Sequence, residues 1–335
     1  MNSITIKPWI AWLAALAVAV ALFSNSSLAR AAQARVAIVT RDFNNPYWAA
    51  LRDGALDEGK KLGIDVNVQA GSSETDAVGE NAKISTLATQ NYTCFGVVPV
   101  NATNIITPLI PVSRKGTPII NLDTALDASA VKAANLKITA FIGSDNYHAG
   151  EIAANYMLGK LHDKGDVVIL EGIPGEKNGI KREGAFRKVT AGKLTVVQAE
   201  SADYERDRAL TETEAILKVH PEITGIFAAN DEMGLGAAQA VANAGKTNQI
   251  TIVSIDGVRE ALEAVQSGKL SASISQYPYV EGEMAVQSCR ALANGKSVPP
   301  SVVSPIELIT KQNAAKAIAQ FPRPFFAFND PFGKP

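Results

Sequence analysis

Residues 35–48 read Arg35-Val36-Ala37-Ile38-Val39-Thr40-Arg41-Asp42-Phe43-Asn44-Asn45-Pro46-Tyr47-Trp48. An apolar, β-branched run, Val36–Thr40, gives way at once to a polar cluster and then to a proline. The run predicts a buried strand. Pro46 suits a first helical turn, where the amide it lacks would have no partner, and the asparagines before it can cap the free N–H groups. Tyr47 and Trp48 are therefore expected at a helix start, facing the carboxyl edge of a sheet.

The same alternation continues outward from this unit. Further candidate strands are Ile64–Gln69, Phe95–Pro99, Pro118–Leu122, Ile138–Ile142, Asp166–Glu171, Leu194–Ala199, Gly225–Ala229, Ile250–Ile255 and Ala272–Ser275, with stretches of helical length between them. Strand, helix, strand in repetition predicts α/β structure around parallel sheets. Ten strands exceed one domain of roughly 100–200 residues, so two similar doubly wound α/β lobes are expected. No Pro- or Ser-rich linker separates them, which leaves strand-like crossings as the joints.

Composition sets further bounds. The chain has 335 residues, 47% of them hydrophobic and 19% charged, enough apolar material for two cores and too much for disorder. With 32 basic against 33 acidic residues and no basic block, there is no field for holding nucleic acid. Two cysteines, Cys94 and Cys289, and three scattered histidines, His148, His162 and His220, argue against a metal centre. No cofactor motif is present: Gly245-Lys246-Thr247 and Gly295-Lys296-Ser297 lack the first glycine of a phosphate loop and follow helices instead of opening them.

The amino end has Lys7, an uncharged run from Trp9 to Phe23, and small residues up to Ala31. That layout predicts a cleavable secretory leader over residues 1–31, the run being too short to span a bilayer. Its removal takes Lys7 and Arg30 and no carboxylate, leaving 30 basic against 33 acidic residues, a net charge of about −3. The expected compartment is the periplasm, an oxidising space.

Polar planar and aromatic side chains recur just after the strand ends, where open α/β sheets gather ligands. Besides Asn45, Tyr47 and Trp48 they are Asp123-Thr124, Arg182, Tyr204, Asn230, Asp256 and Gln276, with Asn178 one helical turn before Arg182. Their chemistry suits a sugar: C–H faces pack on aromatic rings, while hydroxyls both donate to and accept from carboxylates, amides and guanidinium groups.

From about Arg35 to Thr310 the chain resembles the type I periplasmic solute-binding proteins of ABC transporters, those like the ribose-binding protein. The likeness rests on Asn44-Asn45-Pro46-Tyr47-Trp48, Asp145-Asn146, Asn230-Asp231-Glu232-Met233, Ile255-Asp256-Gly257 and Ser275-Gln276, in that order. It implies two lobes joined by three crossings, near Ser144-Asp145, Gln276-Tyr277 and Ser304-Pro305. The first lobe would comprise residues 35–144 and 277–304, and the second 145–276 and 305–320. A neutral monosaccharide or sugar alcohol would lie in the cleft, with Tyr47 and Trp48 on one ring face and Tyr204 on the other. A monomer that delivers its ligand to a membrane permease, or presents it to a chemoreceptor, is implied.

Two departures from the ribose binders bear on specificity. Thr124 stands where they carry an arginine after the aspartate, and Arg41 stands where they carry a small hydroxyl residue, so Arg41 is expected to bring a guanidinium from another direction. Whether Cys94 and Cys289 pair is left open. The segment 321–335 holds five of the eleven phenylalanines and lies beyond the likeness; it is expected to pack over a lobe or to dock a partner. The alternative to binding is a periplasmic carbohydrate-active enzyme using Asp123 and Asp256 as paired carboxylates. A sugar-responsive repressor would need a DNA-binding helix pair at the amino end, where the leader stands instead.

Overall fold

The computed structural model describes residues 34–332, so the leader over 1–31 lies outside the described residues. The chain begins β1 (Arg35–Thr40), α1 (Pro46–Leu62), β2 (Asp65–Ala70), α2 (Ala77–Ala88), β3 (Cys94–Val97), α3 (Ile106–Arg114), β4 (Ile119–Leu122), α4 (Ala128–Ala133) and β5 (Ala140–Ser144). It continues with α5 (Asn146–Leu161), β6 (Gly165–Glu171), α6 (Lys177–Thr190), β7 (Leu194–Ser201), α7 (Arg206–Val219), β8 (Gly225–Ala228), α8 (Asp231–Asn243), β9 (Thr251–Asp256), α9 (Arg259–Ser267) and β10 (Ala272–Gln276). Last come α10 (Pro278–Ala293), β11 (Ser301–Ser304), β12 (Ile306–Ile309) and α11 (Ala314–Gln320).

The strands form two six-stranded sheets, ordered β11-β5-β4-β3-β1-β2 and β12-β10-β9-β8-β6-β7. Setting the edge strands β11 and β12 aside, the second order is the first shifted by five strands, so one α/β plan is used twice. Both faces of each sheet are covered. In β1, Val36 and Ile38 pack into one cluster and Ala37 and Val39 into another, which is why the strand reads as a continuous apolar run. The chain passes between sheets after β5, after β10 and between β11 and β12.

The ten strands expected from the sequence are present, with ends displaced by a residue or two. The strands β11 and β12 were not expected. Each is four residues long, and Pro299, Pro300 and Pro305 break up the stretch that holds them. The strand β12 also runs antiparallel to β10, an edge exception in otherwise parallel sheets.

The helix α10 follows the second crossing yet belongs with the first sheet. It packs so closely on α1 that a Cβ on Gly54 would lie 1.9 Å from the Tyr279 carbonyl oxygen, and one on Gly282 2.1 Å from that of Leu51. The disulfide Cys94–Cys289 ties the same helix to β3, closing the question that the sequence leaves open. It closes a loop of 195 residues that contains β6 to β10, every strand of the second sheet except β12. Loop-closure entropy assigns such a link about 5 kcal/mol against the unfolded chain. The variant Cys94→Ala/Cys289→Ala is therefore expected to lose several kcal/mol in denaturant melts, and reductant to lower the wild-type midpoint but not the variant's; equal midpoints would contradict this.

Candidate functional site

The carboxyl edges of the two sheets face each other across a cleft, and the residues that follow the strands fill it. From the first sheet come Arg41 after β1, Asn45, Tyr47 and Trp48 at the start of α1, Glu74 before α2, and Asp123 after β4. From the second come Glu176, Asn178 and Arg182 around the start of α6, Tyr204 before α7, Asn230 before α8, and Asp256 at the end of β9. Together they line one cavity of about 290 Å³. Ten of the eleven residues singled out from the sequence meet there. The eleventh, Gln276, stands behind Arg182 and takes its Nη2 at 2.7 Å.

Local structure explains how these side chains are aimed. Asn45 caps α1, its Oδ1 accepting from the Tyr47 amide at 2.9 Å, and Asn230 caps α8 in the same way from Met233. A side chain that closes a helix start therefore also places the neighbouring polar atoms at the sheet edge. Asp123, Tyr204 and Asp256 have φ of 53°, 66° and 142°, a region that ordinary residues avoid. Strained backbone of this kind persists where the surroundings over-determine it.

Hydrogen bonds knit the cleft together. Asp123 accepts from the Tyr47 hydroxyl at 2.9 Å, from Thr124 Oγ1 at 2.8 Å and, across the cleft, from Asn178 Nδ2 at 2.9 Å. Arg182 donates to Asn146 Oδ1, the Ala229 carbonyl and Gln276 Oε1, each at 2.7 Å, and its Nη1 lies 3.7 Å from Asp256. Burial pushes the Asp256 carboxyl well above the usual carboxylate range, against the pull of Arg182.

Arg41 is the centre of the first-lobe wall. Its side chain is only 2% exposed, and Nη2 reaches Thr124 Oγ1 at 2.8 Å while Nε donates to the Pro99 carbonyl. A guanidinium thus reaches Thr124 from the end of β1. Glu74 lies 3.5 Å away on one side and Glu176, from the opposite sheet, 3.4 Å away on the other.

The aromatic geometry differs from the expectation. Tyr47 and Trp48 meet edge to face at 81°, so they offer one plate and one edge instead of a shared face. Between the Trp48 and Tyr204 rings, where a sugar was expected, lies the Arg41 guanidinium, 5.2 and 5.9 Å from their centres. Consecutive residues on a helix point about 100° apart, and the sequence reading overlooked that turn.

Glu74 and Glu176 were not anticipated. Glu74 Oε1 accepts from Asn45 Nδ2 at 2.6 Å and Trp48 Nε1 at 2.7 Å, and its Oε2 has no hydrogen-bond partner. Glu176 caps α6 and accepts from the Tyr204 hydroxyl at 2.7 Å. Although burial works against it, Arg41 and these hydrogen bonds hold Glu176 below the usual range. Among the described residues no cluster of His, Cys, Asp and Glu could hold a metal ion.

Burial moves the Glu74 carboxyl the other way, pushing it up from 4.5 to about 7 despite Arg41. A carboxyl raised on folding takes up a proton between those two values, so the folded state is favoured at low pH and loses stability as pH rises through the window. Over pH 4.5–8 the wild type is expected to lose on the order of 3 kcal/mol more than Glu74→Gln. Denaturant melts across that range check it, and parallel pH profiles would refute the assignment.

Known proteins share this architecture. Residues 36–297 match the family described as a periplasmic binding protein domain. The D-allose-binding periplasmic protein of Escherichia coli is 34% identical over 274 residues, covering 80% of this chain and 88% of that one. The ribose import binding protein of Bacillus subtilis is 31% identical over 269 residues, 80% of this chain and 85% of that one. An ABC transporter periplasmic solute-binding protein from Actinobacillus succinogenes, solved with bound D-allose, superposes with a TM-score of 0.81 at 32% identity, covering 84% of this chain and 99% of its own. These are binding proteins and not enzymes, which sets aside the paired-carboxylate alternative. With its two parallel-sheet lobes and the facing cleft between them, the chain belongs to the periplasmic binding protein family.

Proposed function

We propose that the cleft binds one neutral monosaccharide or sugar alcohol, closes on it by hinge rotation, and hands it to a membrane permease. The leader over residues 1–31 would deliver the mature chain to the periplasm. The closing bodies would be residues 35–144 with 277–304 and residues 145–276 with 305–320, turning about the three crossings.

The observation that carries this reading is the make-up of the cavity wall. It holds four carboxyl groups, Glu74, Asp123, Glu176 and Asp256, and two guanidinium groups, Arg41 and Arg182, with amides and aromatic rings between them. A wall with an excess of acceptors suits hydroxyls, which can donate. Both guanidinium groups are already engaged by protein acceptors, Arg41 by Glu176 and Thr124 and Arg182 by Asn146, Ala229 and Gln276, so no unmatched cation remains to balance an anionic ligand. Sugar acids and sugar phosphates are thereby disfavoured. The D-allose held by the Actinobacillus relative is in keeping with this chemistry.

Closure follows from two-sided contact. A sugar touching Asp123 on one lobe and Arg182 or Asp256 on the other binds the closed arrangement better than the open one, so it shifts the population by that difference. Polar groups that an analogue leaves unpaired cost about 1–3 kcal/mol each, which is how such a site tells epimers apart.

The expected result of a thermal-shift panel is stabilisation by at least one neutral pentose, hexose or polyol and none by the matching uronate or phosphate. For the sugar so found, calorimetry is expected to show Arg182→Ala binding about 10- to 100-fold more weakly, and Arg41→Ala weaker as well. A panel that answers only to sugar acids, or unchanged affinity in Arg182→Ala, would overturn the proposal.

A further inference from the structure

The chain after α11 makes a connection between the lobes that the sheets do not. The helix α11 packs on α9 of the second lobe. Directly beyond it, Phe321 and Pro322 lie between α9 and the first turns of α1, sharing a hollow with Ala49 and Ala50 on one side and Glu263 on the other. The Arg259 guanidinium, on α9, stands 5.3 Å over the Phe321 ring.

One residue past that pair the chain is fastened to the first lobe. Both terminal nitrogens of Arg323 reach the Glu283 carboxylate on α10, Nη1 to Oε2 at 2.8 Å, and the guanidinium lies 4.9 Å over the Tyr279 ring. Phe326 then meets Tyr277, the residue after β10, edge-on at 5.9 Å. The tail phenylalanines all pack against the core, so they cover the hinge flank instead of standing exposed.

We propose that residues 321–326 are a strap over the hinge, a fourth link between the lobes that limits how far the cleft can open. Its two anchors are different in kind. The second-lobe end is continuous with α11, while the first-lobe end is held by an ion pair and ring contacts that can let go. Only Pro322 separates the Phe321 and Arg323 anchors, a backbone span of roughly 7 Å at full extension. Swinging α9 away from α1 must stay within that reach or release Arg323 from Glu283. Phe321 and Pro322 also share a second hollow with Tyr47 and Asp256, behind the sugar cavity, so the strap backs two of the groups that face it. This goes beyond the proposed sugar binding and does not depend on which sugar is bound.

The test is the distance between lobes in the full, disulfide-intact chain without sugar. Nitroxide labels at Lys83→Cys on α2 and Lys181→Cys on α6 report it by pulsed electron resonance. Arg323→Glu is expected to shift the distribution to longer distances, and the charge swap Arg323→Glu/Glu283→Arg to return it to the wild-type one. Arg323→Gln, which removes the pair without setting like charges together, should lengthen it too and is the deciding variant if Arg323→Glu melts early. Distributions indistinguishable from wild type in Arg323→Gln, or lengthening that the swap does not reverse, would overturn the strap. A chain that shows the strap yet answers to no sugar would instead sink the proposed function.

Discussion

A guanidinium taken almost entirely out of water sets the terms for the cleft. Arg41 sits among Glu74, Glu176, Thr124 and two aromatic rings, and each partner has a second duty. Glu74 orients the Trp48 indole and the Asn45 amide; Glu176 starts α6 and fixes the Tyr204 hydroxyl. Removing one partner of a buried ion pair leaves an uncompensated charge, at about 3–5 kcal/mol. The side chains that touch Arg41 are therefore held in place by its charge, and they are the same side chains that shape the cavity. Because Glu176 belongs to the opposite lobe, the charge also helps decide how the lobes meet.

Much of this was readable beforehand, for physical reasons that can be named. Val36–Thr40 and the other central strands β3, β4 and β8 are buried on both faces, which leaves an unbroken apolar signal. Asn45 and Asn230 stood out because a helix start after a strand demands a capping side chain, and the cap and the cleft coincide. Glu74 and Glu176 stayed hidden because a carboxylate in a loop usually means solvent or a cap. Glu176 is indeed a cap, and only the partner lobe, far away in sequence, gives it Arg41. The one local signal was its position two residues before Asn178, itself a candidate.

Arg41 was found by comparison of residue types, yet its partner could not be. That its guanidinium would end on Thr124 follows from how β1 and β4 flank β3, since all three strands end at the same sheet edge. The angle between Tyr47 and Trp48 escaped the sequence for the opposite reason. Residue types alone cannot say that adjacent rings on one helical turn stand perpendicular. The disulfide was undecidable from spacing because its ends lie 195 positions apart, with five strands of the other sheet between them.

The crossings themselves are packed and polar. Ser144 and Ser304, the last residues of β5 and β11, are paired in register, and both lie beside Glu281 on the first turn of α10. Glu281 is wholly buried, and that burial, with the nearby charge of Asp123, pushes its carboxyl well above the usual range. A carboxyl held neutral in this way can donate as well as accept. The buried side of these crossings is thus built from hydrogen-bonding groups, while Asp145, the carboxyl beside Ser144, lies exposed at the start of α5. The buried ion pairs lie instead at the cavity wall, Arg41 with Glu74 and Glu176 and Arg182 with Asp256.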